Sequence, residues 1–164
     1  MSSSTDRIEK RAFLRAPLAR VWRAVSEAER FGAWFGVAFD GPFVEGREVT
    51  GRITPTRVDP EVAKLQEPHA GKAFVFLVER VEPMRRIVFR WHPFAVEPGR
   101  DYSGEPTTEI VFALAEAPGG TELTITESGF DRIPLERRAA AFAANDGGWS
   151  HQIRMVEKYL AVAP

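Results

Sequence analysis

Apolar residues recur with period two between positions 73 and 128. Phe74, Phe76 and Val78 alternate across 73–82. Ile87, Phe89 and Trp91 share one face of 86–92, with Val88, Arg90 and His92 on the other. Ile110, Phe112 and Leu114 alternate across 107–115, and Leu123 and Ile125 across 121–128. Such alternation is the mark of strands with one buried face. Short turns at 82–85 and 116–120 separate these segments, so neighbouring strands are predicted to be antiparallel. The period then changes. Trp149, Ile153, Val156 and Leu160 fall at i, i+4, i+7 and i+11, one stripe of a helix. Run backward, the stripe passes through Asn145, Phe142 and Leu135. Pro134 suits a first helical position, which predicts a rod over 134–160, roughly 40 Å long. Gly147-Gly148 interrupts it at a cost of roughly 1 kcal/mol per residue relative to Ala, and the pair is read as a kink or a place of close backbone packing.

The N-terminal half is less regular. A strand is predicted over 8–14. A helix opens at Ala16-Pro17 with Val21, Trp22 and Val25 on one side, and a second short helix follows from Ser26. Phe31, Trp34 and Phe35 come next, punctuated by Gly32 and Gly36. A short strand over 37–39 and a turn at Asp40-Gly41-Pro42 precede 44–53, a hairpin or bulged strand. Positions 55–71 read as a long loop with a turn of helix at 60–66, and 93–106 as a second irregular loop. Strands in the middle and helices toward the two ends define an α+β fold, with an antiparallel sheet lying against the C-terminal helix. The length of 164 residues suits one domain, 1–164, with an ordered core over about 8–161.

Composition narrows the chemistry. The net charge of −1 favours neither nucleic acid nor an anionic membrane as partner. The lack of cysteine excludes disulfides, thiol catalysis and Cys-ligated zinc or iron–sulfur sites. The start of the chain is polar and Ser-rich, with no apolar signal segment. No apolar run reaches the ~18 residues of a membrane span, so a cytoplasmic location is expected. His69, His92 and His151 show no metal-ligand spacing, and neither a dinucleotide fingerprint nor a P-loop is present. No metal and no cofactor is expected.

Several motifs in order resemble a known family. They are Arg15-Ala16-Pro17 with Val21-Trp22 and Ala33-Trp34-Phe35, then Pro83 with Ile87-Val88-Phe89-Arg90-Trp91. Gly119-Gly120-Thr121-Glu122-Leu123-Thr124, Ser128-Gly129-Phe130 and Gly147-Gly148-Trp149 with Tyr159-Leu160 follow. Together they resemble the SRPBCC superfamily of START and birch-pollen-allergen-like helix-grip folds. Within it, the pattern is similar to the family related to the C-terminal domain of the activator of heat-shock protein 90 ATPase. The resemblance implies a curved antiparallel sheet gripping the long helix, with a cavity between them. The co-chaperone carries an additional N-terminal domain for which this chain has no room, so chaperone activation is not implied.

The inner surface between sheet and helix is the candidate site. By alternation, Phe74, Phe76, Ile87, Phe89, Trp91, Ile110, Phe112, Leu123 and Ile125 point inward. Trp34, Phe142 and Trp149 join them from the helices. Twelve Phe and four Trp can line an apolar pocket or simply fill a core. Glu127 continues the face of Leu123 and Ile125: unbroken alternation carries a carboxylate inward as a polar anchor or an acid–base group, whereas a bulge at the strand end turns it to solvent. Asn145 lies on the helix stripe four residues before Trp149, placed either to hydrogen-bond a ligand or to cap a break in the helix. Arg90 and the run Glu136-Arg137-Arg138 are expected to face solvent. The reading is a small apolar or aromatic ligand held by Trp34, Phe74, Phe76, Phe89, Trp91, Phe112, Glu127, Phe142, Asn145 and Trp149. The alternatives are a cyclase- or hydrolase-type enzyme with Glu127 and Asn145 as catalytic candidates, and a module that binds a protein partner. The loops 55–71 and 93–106 are candidates for a lid or a homodimer contact.

Overall fold

The computed structural model describes residues 6–56, 58–95 and 99–162. The first five residues of the polar N-terminus, and one and three residues of the two long loops, lie outside the described residues. Strand β1 (Arg7–Leu14) is followed by helices α1 (Leu18–Ser26) and α2 (Ala28–Phe35), then strands β2 (Val37–Phe39) and β3 (Glu48–Ile53). After the short helix α3 (Pro60–Gln66) come β4 (Ala73–Glu82), β5 (Arg86–Trp91), β6 (Thr108–Ala117) and β7 (Gly120–Ser128). The chain ends in helix α4 (Leu135–Val162).

All seven strands form one antiparallel sheet in the order β1-β7-β6-β5-β4-β3-β2. This is the expected α+β helix-grip architecture: a curved sheet holds the long helix, with two short helices after the first strand. The alternation places Phe76, Ile87, Phe89, Ile110, Phe112, Leu123 and Ile125 in the core, while Phe74 and Trp91 are half-buried. Arg90 lies outside, paired with Glu79 and Glu109.

Helix α2 drives an aromatic wedge into the sheet. Phe31 meets Phe76, Phe89 and Phe112 at ring distances of 6.1, 5.7 and 5.4 Å. The wedge sits close because Gly32 has no side chain: a Cβ there would fall 2.1 Å from the Val37 carbonyl oxygen. Gly36, at φ 88°, ends the helix in the left-handed conformation that glycine adopts without strain. Helix α3 is capped by Asp59, whose carboxylate accepts from the Glu61 and Val62 amides. Asp59 also receives Lys158 of α4, which ties the 55–71 segment to the long helix.

Four local expectations are corrected. The 44–53 segment is not a hairpin; only Glu48–Ile53 is strand, after a turn at Gly46. Leu135 is not on the buried stripe: it is 76% exposed, because α4 begins there, beyond the edge of the packed interior. Gly147-Gly148 marks no close packing, since α4 runs through both and a Cβ at either would meet nothing within 4 Å. Arg137 does not face solvent. It is 7% exposed, because the loop after β5 folds back on α4 and surrounds its guanidinium with acceptors.

Candidate functional site

The site is the end of the sheet where β5, β6 and β7 meet the middle of α4. Cross-strand register assembles it. Trp91 lies opposite Thr108, and Ile110 lies opposite Glu127. Thr108 and Ile110 are two apart on β6 and share a face, so Trp91, Thr108 and Glu127 converge on the inner side. Asn145 and Trp149, four apart on α4, present one helix face to them.

Glu127 has no solvent exposure. Its Oε2 accepts from Trp91 Nε1 at 2.7 Å and Thr108 Oγ1 at 2.5 Å. Its Oε1 accepts from Trp149 Nε1 at 2.8 Å. The Asn145 Nδ2 amide bridges both oxygens, at 2.9 and 3.1 Å. A buried carboxylate is tolerated only where its lone pairs are satisfied, and here four side chains from two strands and a helix do so. None of the four carries a positive charge. Lys10 of β1 is engaged by Asp146 at 2.9 Å, and Arg137 by Glu105 at 2.7 Å.

Two of these four donors were expected at the site for a different reason, as apolar walls. Trp91 and Trp149 do belong to the aromatic interior, 6.1 Å apart, but their indole N–H edges turn to the carboxylate. Thr108 escaped the sequence reading. Its only signal is its parity with Ile110 and its position opposite Trp91, which needs the register.

The remaining expected site residues divide. Phe76, Phe89 and Phe112 are fully buried in the ring cluster, and Phe74 packs against Phe76 and Trp91 at 5.1 and 5.8 Å. Trp34 is a structural wedge whose indole N–H donates to the Ala24 carbonyl at 2.9 Å. Phe142 packs on Phe130 at 5.2 Å, beside the cluster rather than within it. Between sheet and helix these rings are in mutual contact. Two hollows lie elsewhere at the surface. One, of about 400 Å³, is bordered by Arg30, Thr54, Pro55 and Tyr159. The other lies beside Arg15–Leu18 and the β6–β7 turn.

Beside the site, Arg137 straps the loop after β5 to α4. Its guanidinium donates to the Pro93 and Phe94 carbonyls at 3.0 Å and to Glu105, and lies 4.8 Å from the Tyr102 ring centre. The hydrogen bond from Arg137 is the main reason that the Glu105 carboxyl titrates below the usual glutamate range. Of the three histidines, His69 and His151 are exposed and His92 meets the Glu105 carbonyl. No His, Cys, Asp and Glu cluster suited to a metal occurs among the described residues. No helix in them is long and apolar enough to cross a membrane.

The fold and the family now agree. The model of the family described as "Activator of Hsp90 ATPase homolog 1-like protein" matches residues 15–161, and the chain belongs to that family. Among solved structures, the chain is similar to DynU16, a putative protein in the dynemicin biosynthetic locus, at 24% identity and a TM-score of 0.67. That match covers 96% of this chain and 48% of DynU16, so the chain spans about half of that protein's length. A protein from Arthrobacter aurescens aligns at 16% identity and a TM-score of 0.74, covering 99% of this chain and 91% of its own. The solution structure of the Aha1 dimer from Colwellia psychrerythraea aligns at 16% identity and a TM-score of 0.67, covering 95% and 96%. At these identities the likeness is one of fold. No curated protein matches the chain significantly.

Proposed function

We propose that this protein binds a small molecule with an apolar or aromatic body between the sheet and α4, and that Glu127 anchors a hydrogen-bond donor of that molecule. The observation that carries the reading is the Glu127 carboxylate itself. An apolar residue at this position would fill the interior at no desolvation cost; a carboxylate needs four dedicated donors. Such an expensive acceptor beside Trp91, Trp149 and Phe74 is what a site for an aromatic molecule with one polar group requires. Trp91, Phe74 and Asn145 are half-buried, so the acceptor lies one side chain from the protein surface. Rings of the cluster move apart to admit the ligand.

Binding is favoured over catalysis because none of the side chains bonded to Glu127 is a second acid or base. A protein-docking role has less support. The large exposed apolar residues Phe13, Val44, Leu65, Val75, Met84, Phe94 and Leu135 are distributed over separate segments rather than gathered on one element.

The test is a titration with the neutral fluorophore N-phenylnaphthylamine, followed in the proton–nitrogen spectrum of the indole groups. Saturable fluorescence with shifts of the Trp91 and Trp149 indole signals, and none at Trp22 on α1, is the expected result. Saturable binding that leaves both signals in place would locate the dye elsewhere and overturn the reading, as would no binding at all.

A further inference from the structure

Resting on that reading, we infer that the ligand is a cation: a protonated amine on an aromatic or apolar body. Three observations lead there. First, Glu127 is a buried carboxylate side chain whose four hydrogen-bond partners are neutral donors. Second, Lys10 of β1 and Arg137 of α4 are committed to other acids, Lys10 to Asp146 and Arg137 to Glu105. The chain thus brings a carboxylate into its interior, and among the described residues no cation bonds to it. Third, the Asn145 amide nitrogen touches both carboxylate oxygens at once. That bridging position is where an ammonium gains most, and a charge-assisted bond there is stronger than the neutral one it replaces.

Asn145 is the replaceable partner. It is half-buried, and its nitrogen makes no bond other than those to Glu127, whereas Thr108 is fully enclosed and Trp149 nearly so. A swing of one side chain therefore exposes the carboxylate to a ligand. The surroundings suit a cation as well. Trp91 and Trp149 lie 6.1 Å apart, and Phe74 and Phe76 lie 5.8 and 5.3 Å from Trp91. Aromatic rings attract an ammonium and pack its apolar body at the same time. An anionic ligand meets repulsion from Glu127 and finds no cation, and a neutral one gains only an ordinary hydrogen bond.

The experiment compares phenethylamine, phenethyl alcohol and phenylacetate, matched in body and differing in head group, by the indole signals of Trp91 and Trp149. The amine is expected to bind at least about tenfold more tightly than the alcohol, and phenylacetate least tightly. Asn145→Ala, which clears the bridging position, is expected to raise amine affinity by about tenfold. Glu127→Gln is expected to bring the amine and alcohol to equal affinity; Asn145→Ala carries the test if that variant does not fold. Equal binding of amine and alcohol by the unaltered protein overturns the charge selectivity but leaves the interior site standing. The same holds where N-phenylnaphthylamine moves the indole signals and the amine does not. Weaker amine binding by Asn145→Ala also overturns the inference. Failure of the dye and all three probes removes the site itself.

Discussion

Trp149 donates its indole N–H to Oε1 of Glu127 at 2.8 Å, joining the middle of α4 to the last strand of the sheet across the centre of the grip. Trp91 makes the corresponding bond to Oε2 at 2.7 Å from β5. The carboxylate is thus held between two indoles from opposite layers. This makes Glu127 a cross-brace as well as a candidate anchor, and its two roles have separable consequences.

As a brace, Glu127 does not tolerate its own amide. In Glu127→Gln the new NH2 group replaces one oxygen, and either orientation sets it against an indole N–H, that of Trp91 or that of Trp149. A buried donor facing a donor costs about 1–3 kcal/mol, so the variant is expected to unfold at lower urea concentration despite its matching shape. Trp149→Phe removes one of the two opposing donors. In a double-mutant cycle the pair is expected to be less destabilised than the sum of the single variants by about 1 kcal/mol. Strict additivity in urea denaturation would show that the indole bond contributes nothing to this pairing.

The glycine pair of α4 gives a stabilising prediction. Neither Gly147 nor Gly148 has a positive φ, and a Cβ at either meets no atom within 4 Å. Each glycine therefore carries the entropic cost of its freedom in a helix without a packing gain. Gly147→Ala and Gly148→Ala are each expected to stabilise the fold by about 0.5–1 kcal/mol, read as a higher midpoint in thermal unfolding. A lower midpoint for either would mean that a neighbour or a ligand uses the space beside the helix.

The sequence made some of this legible and hid the rest for physical reasons. Period two places a side chain on one face whatever the partner strand does, which puts Phe76, Phe89 and Phe112 inward as observed; for Glu127, at the strand end, it leaves the choice between interior and solvent to the structure, which buries it. The helix stripe located Asn145 and Trp149 in the same way. Thr108 was invisible because its role depends on register: it reaches Glu127 only through the pairing of β6 with β5 and β7. Arg137 misled because a charged triplet on a helix is ordinarily solvated, and here a distant loop supplies two carbonyls and a carboxylate. The Gly147-Gly148 pair showed its propensity cost but not its neighbourhood. Whether rings line a space or fill it is a matter of volume, which alternation does not encode.

The strap beside the site predicts an acid-sensitive element. Glu105 lies near Arg137 and Arg100, and its carboxyl is held below the ordinary range, chiefly by the hydrogen bond from Arg137. A carboxyl whose folded value lies below its unfolded value stabilises the fold fully above the unfolded value, about 4.3 for glutamate. That stabilisation is lost as the pH falls through the lower, folded value. Asp59 and Asp101 are shifted in the same direction, Asp59 chiefly by its bond with Lys158 and Asp101 chiefly by the Ser103 amide, so the whole protein weakens in acid for several reasons. Comparison with Glu105→Gln isolates the strap. The stability difference between the two proteins in urea is expected to be constant above about pH 5 and to shrink steadily below it as Glu105 takes up a proton. Hydrogen exchange of the amides flanking Pro93 is expected to quicken over the same interval, because the guanidinium that binds the Pro93 and Phe94 carbonyls loses its carboxylate partner. A difference that stays constant down to about pH 3 would mean that the Arg137–Glu105 charge pair adds nothing beyond a neutral hydrogen bond.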